Sequence, residues 1–153
     1  MNALSKGLGL ATQTCRGLDW LAPLGDLLLR LYVANVFWKA GLVKIQSWPS
    51  TLYLFTEEYK VPLLPPELAA YLGTGVELFF PVLLALGLAG RLAAFVLFVF
   101  NIIAVISYPT LNAAGLADHQ LWGLLLALLV LRGPGKLSLD HLLWPSLRPR
   151  LGV

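Results

Sequence analysis

The run LLLRLYVANVFWKAGLVK, residues 27–44, is nearly apolar enough to be lipid-soluble, yet it carries Arg30, Asn35, Lys39 and Lys44. A second apolar run holds Glu77, a third Asn101, and a fourth opens on Asp118 and His119. In a low dielectric, a cation and a carboxylate can exchange a proton, hold a polar ligand atom or neutralise each other. Ionisable groups inside such runs are costly, so each needs a partner or a wetted cavity.

Helical spacing sorts these groups into faces. At about 100° per residue, Arg30, Ala34, Phe37, Gly41 and Lys44 share one face, and Asn35 and Lys39 share another. Glu67, Tyr71, Thr74, Glu77 and Pro81 form a stripe on the second run, where Glu77 is too deep to reach water. Asn101 shares a face with Tyr108. The expectation is that Arg30 and Lys39 face the interior, with Glu77 the counter-charge of one of them. Lys44 is expected to reach the membrane boundary. Asp26 precedes Arg30 by one helical turn and is placed to pair with it.

Arg30, Lys39, Glu77 and Asn101 are therefore the candidates for a ligand or proton site. Lys44, Arg91, Tyr108 and His119 are candidates at the boundary. Packing competes with chemistry at each position. An Arg30–Glu77 or Lys39–Glu77 pair and an Asn101 hydrogen bond would fix how helices pack and nothing more. His119 beside Asp118 reads as an interface residue. Trp38, Trp48, Trp122 and Trp144 read as belt residues at the membrane surface.

These groups must be positioned by membrane-spanning helices. The chain has 153 residues, 58% hydrophobic and 12% charged, with a mean hydropathy of +0.77. A soluble domain usually carries about 25% charged residues. The net charge of +3 sits beside apolar runs, which points to lipid headgroups and not to nucleic acid. Cys15 is the single cysteine, so no intrachain disulfide or paired-thiol chemistry is available. The sequence holds no dinucleotide, phosphate-loop, zinc-protease or serine-hydrolase motif. His119 and His141 cannot build a bis-histidine haem ladder, Met1 alone gives no thioether path for copper(I), and no metal site is expected.

The apolar runs predict spans at 23–45, 66–89, 91–108 and 118–132. Pro23 and Pro66 read as helix starts. The fourth span would cover only about 22 Å, so it must start earlier or cross thin lipid. Residues 1–22 form an amphipathic segment, with Leu4, Leu8, Ala11, Cys15 and Leu18 at helical spacing. STLYLFTEEY, within the 46–65 loop, forms a short interfacial helix. Residues 109–117 form the second outer loop, and 133–153 a basic tail. The expected fold is all-α, a four-span transmembrane bundle with interfacial helices. With both termini cytoplasmic, that side gains Lys6, Arg16, Arg91, Arg132, Lys136, Arg148 and Arg150, against Lys44 and Lys60 outside.

The ordered pieces LLLRLYVANVFWKAGLVKI, ELFFPVLLALGLAGRLAA and GPGKLSLD resemble the DoxX family of small four-helix bacterial membrane proteins. The last is similar to that family's carboxy-terminal G-x-G-x-x-S-x-D signature, here Gly133, Gly135, Ser138 and Asp140. The segment EEYKVPLLPPELAAYL resembles DoxX-like proteins of proteobacterial inner membranes. The resemblance implies an inner-membrane bundle, with Arg30, Lys44, Glu77 and Arg91 as the positions that carry over. It also implies an association with oxidoreductases that use quinones or handle thiols. The leading expectation is an accessory or quinone-interacting membrane subunit of an oxidoreductase or stress-response system. A quinone would need an apolar slot, a donor such as Arg30 or Lys39, and Glu77 to take or give a proton. Two alternatives stay open: a non-catalytic scaffold that docks a soluble protein partner at the membrane, and a small transporter or metal-handling protein. For the latter, a homo-oligomer would build the path between chains.

Overall fold

The computed structural model describes the backbone of residues 3–143 and the side chains of residues 20–143. It is all-helical among those residues. α1 covers Ala3–Gln46, α2 Trp48–Tyr53, α3 Pro66–Leu86, α4 Gly90–Ser107 and α5 Ala113–Arg132. A π-helical turn, Leu54–Glu58, continues α2. Four stretches are long and apolar enough to cross a membrane: Trp20–Gln46, Pro66–Leu86, Gly90–Ser107 and Ala113–Arg132. The amphipathic side chains expected at 4–18, and Trp144, Arg148 and Arg150, lie outside the described residues.

Three helix ends differ from the expected ones, each for a local reason. α1 does not start at Pro23 but runs through it. A proline there removes one hydrogen bond and crowds one carbonyl, and the helix-forming residues on both sides carry the helix across. α3 stops at Leu86 because Gly87 takes a left-handed φ of +67°. Leu88 N–H then bonds the Leu83 carbonyl at 3.0 Å, the six-to-one bond of a glycine-terminated helix. α5 starts at Ala113, ahead of Asp118, because Asn112 caps it: its side-chain oxygen accepts from Gly115 N–H at 2.7 Å. Its 20 residues rise about 30 Å, enough to cross.

The spans alternate in direction, with α1 on α3, α3 on α4 and α4 on α5. The core is built from Val33, Ala34 and Phe37 of α1, Leu84 of α3, Ala93, Ala94 and Leu97 of α4, and Leu126 and Leu129 of α5. Alanines at the crossings let backbones approach, which is how helices gain contact in lipid without a hydrophobic driving force. Gly41 marks a close approach of α1 to α3. A Cβ there would lie 2.8 Å from Leu78 Cδ2 and 3.1 Å from the Glu77 carbonyl carbon.

Residues 133–143, expected as the start of a basic tail with an amphipathic surface helix from Leu137, fold back against the bundle. Arg30 is 1% exposed. Its guanidinium donates Nη1–H to the Pro134 carbonyl and Nη2–H to the Leu137 carbonyl, the latter at 2.7 Å. Asp140 caps α4 with both oxygens, accepting from Ala89 N–H and Gly90 N–H at 2.8 Å each. Its own N–H donates to the Gly87 carbonyl at 2.9 Å. Ala89 holds a positive φ of 49° in this turn, and the carboxylate clamps it there. The expected Asp26–Arg30 pair is not made: Asp26 pairs with Arg132 at 3.2 Å.

Asp140→Ala should lower stability by about 1–2 kcal/mol, the loss of a helix cap with charge-assisted bonds. Asp140→Asn should fall between, since its amide oxygen serves only one of the two N–H groups. Thermal unfolding of the three proteins in one detergent checks this order.

Candidate functional site

The ion pair inside the bundle joins Lys44 to Glu77, and neither Arg30 nor Lys39 reaches the carboxylate. Lys44 Nζ donates to Glu77 Oε1 at 2.8 Å and lies 2.6 Å from Oε2, with the side chains 17% and 7% exposed. The expectation of a boundary Lys44 fails because α1 ends level with the interior of α3. Gly41 sits against Glu77 and Leu78, so Lys44, one turn on, stands beside the turn that precedes Glu77. Arg30 is about 16 Å below Gly41 along the helix, too far to reach Glu77. Lys39 is exposed on the outer face with Asn35. It is not an interior residue.

The pair stands in a cavity of about 450 Å³ walled by all four spans. Its volume is within the roughly 300–1,000 Å³ usual for small-ligand sites. Phe37, Phe100 and Trp122 line its deeper end, Phe37 meeting Phe100 edge-on at 6.3 Å and Trp122 at 6.1 Å. Trp122 is thus a cavity wall and not a belt residue. Phe55, Tyr59, Val61 and Leu64 cover the other end. Phe55 is buried against Ala69 and Ala70, and Lys60 N–H ties this cover to the Ser107 carbonyl at 2.6 Å.

Polar groups are few and spread over separate elements. Tyr59 and Tyr108 meet edge-on at 5.1 Å. Burial, then Tyr108, Glu77 and Glu58, hold the Tyr59 phenol above its ordinary range, so it stays a neutral hydroxyl. On α5, His119 packs edge-on against Trp122 at 4.9 Å. Asn101 Nδ2–H donates to the His119 carbonyl at 2.9 Å, and Asn101 Oδ1 lies 2.7 Å from His119 Nδ1. Thr74 Oγ1 and Ser107 Oγ are buried with no hydrogen-bond partner among the described residues.

The structure therefore gathers Lys44, Glu77, Tyr108 and His119 around one cavity, with Asn101 behind His119. It sends Arg30 and Arg91 to the opposite end. Arg91 is exposed, its closest bond a 3.5 Å contact to the Leu131 carbonyl. There a groove of about 1,060 Å³ is lined by Asp26, Arg91, Arg132, Lys136, Asp140 and His141 among others. Tyr59 was missed as a site residue. Its signal was the spacing of Phe55 and Tyr59 one turn apart in an otherwise interfacial segment. Among the described residues, no group of three or more His, Cys, Asp or Glu side chains could hold a metal ion.

A family model for DoxX matches residues 25–109, more than half of the chain. The protein belongs to the DoxX family. That match covers Arg30, Lys44, Glu77, Arg91, Asn101 and Tyr108 and ends before α5. The chain is also similar to an uncharacterized protein of Haemophilus influenzae. It is 29% identical over 126 residues, covering 76% of this chain and 82% of the relative. No solved structure matches significantly. Family membership and four apolar helices make this DoxX protein a multi-pass membrane protein.

Proposed function

We propose that this DoxX protein is an accessory membrane subunit of an oxidoreductase or stress-response system, and that its cavity holds a quinone-type ligand. Its place is the bacterial inner membrane, with both termini cytoplasmic, as the lysine and arginine bias favours. One observation carries the reading: a Lys44–Glu77 ion pair on the wall of a mostly apolar, aromatic-floored cavity. The fit to a quinone ring is chemical. Phe37, Phe100 and Trp122 offer ring surfaces, and Lys44 offers a hydrogen-bond donor whose charge Glu77 balances. When bound, a quinone supplies paired electron and proton transfer. The protein's part is to hold the ring, exclude water, and keep a proton shared between Lys44 Nζ and Glu77 next to it. This is a different donor from the Arg30 or Lys39 expected from sequence.

A second reading, a scaffold that docks a soluble protein, draws on the groove bearing Arg91, Arg132 and Lys136 at the other end. The two make different predictions. Mass spectrometry of lipophilic molecules extracted from protein purified in mild detergent should find quinone near stoichiometry. Ala40→Leu, which fills the cavity wall and leaves the ion pair intact, should lose it while unfolding at the same temperature. Glu77→Gln should lose it too. Absence of quinone from the native protein, together with no binding of added quinone, would move the function to the groove.

A further inference from the structure

Asn101 makes both of its contacts with one residue, and this fixes the proton on the His119 ring. A backbone carbonyl only accepts, so the Asn101 amide nitrogen must face the His119 carbonyl, and Oδ1 must face the ring. Oδ1 also only accepts, so His119 Nδ1 carries the proton. In the neutral ring Nε2 is then a lone pair. It has no hydrogen bond among the described residues, and His119 lines the cavity. Trp122, edge-on at 4.9 Å, holds the ring in place. The cavity wall therefore carries an ammonium donor, Lys44 of α1, and a ring with one acceptor nitrogen, His119 of α5.

We infer that the cavity selects the reduced, hydroxyl-bearing form of its aromatic ligand, a hydroquinone over the matching quinone, through His119 Nε2. The hydroquinone donates one hydroxyl to Nε2 while its other ring oxygen accepts from Lys44. A quinone carbonyl at the same place would set a lone pair against a lone pair. Asn101 is the positioning residue, since without it the ring is free to move its proton to Nε2 and turn acceptor into donor. This inference rests on the cavity reading above and adds to it the redox form that binds.

The test is anaerobic isothermal titration of the detergent-solubilised protein with three probes: a ring-alkylated para-hydroquinone, its quinone and its dimethyl ether. The hydroquinone should bind about tenfold tighter or more than either of the others, because a site built for a hydroxyl leaves a buried group unpaired when it is missing. His119→Phe should erase the preference and leave the three affinities alike. Asn101→Leu should shrink it while His119 remains, a change in the ratio that a purely structural role would not produce. It also serves as the test if His119→Phe fails to fold. Equal binding of hydroquinone and ether to the native protein overturns the inference and leaves the cavity reading standing. No binding of any probe overturns both.

Discussion

Arg30→Met should release the carboxy-terminal segment and cost about 3–5 kcal/mol. Each of its two bonds to a backbone carbonyl is charge-assisted and contributes about 1.5–3 kcal/mol. The substitution also leaves the Pro134 and Leu137 carbonyls without their donor. A Cβ on Gly87 would lie 2.5 Å from both Arg30 Nη1 and Ser138 Cβ, so the guanidinium, the α3 end and the 133–140 loop are packed as one unit. Losing the arginine should therefore loosen Asp140 from α4 as well. Limited proteolysis should show new cleavage in residues 133–143, and thermal unfolding in detergent should drop. Arg30→Lys should recover little, because one ammonium cannot fork between two carbonyls as a planar guanidinium does. A stable Arg30→Met protein with a protected carboxy-terminal segment would show that the fold-back does not depend on this residue.

The second large effect lies at the other end. Lys44→Met should destabilise by about 3–5 kcal/mol, since it strands the Glu77 carboxylate in an apolar wall. Glu77→Gln should cost a comparable amount by stranding the ammonium. The double variant Lys44→Met/Glu77→Leu should recover most of the loss, because replacing a buried ion pair with apolar groups of similar size is often neutral or better. Unfolding temperatures of the four proteins form a double-mutant cycle. Additive losses would mean that the two residues act independently, against the geometry. A recovered double variant that no longer holds quinone would show that the pair is kept for ligand chemistry and not for stability.

The two ends differ in character. The Arg30 end is closed by side chain-to-backbone bonds that leave, among the described residues, one unpartnered atom, Arg30 Nε. The Lys44 end keeps an open cavity and, among the described residues, two buried hydroxyls without partners, on Thr74 and Ser107. Unsatisfied groups are costly in a membrane, and the Ser107 hydroxyl stands on the wall of that cavity, where a ligand could pair it.

Much of this was legible in the sequence because hydropathy and helical phase are local properties. Apolar run length predicted four spans, and the 3.6-residue period put Arg30, Ala34, Phe37, Gly41 and Lys44 on one face, which is the buried face of α1 save for the half-buried Lys44. The ordered motifs pointed to the DoxX family, and the family match over 25–109 agrees. What the sequence could not supply was the offset of one helix along another. That offset comes from Gly41 seating against Glu77 and Leu78, and it alone decides that Lys44, and not Arg30 or Lys39, meets the carboxylate. The role of Arg30 and Asp140 was hidden for the same reason: residues more than a hundred and about fifty positions apart from their partners are joined only when the 133–143 segment folds back. Composition and period determine which residues enter the membrane and which way they face, whereas axial register and chain return, set by close packing of small residues, decide which charges meet.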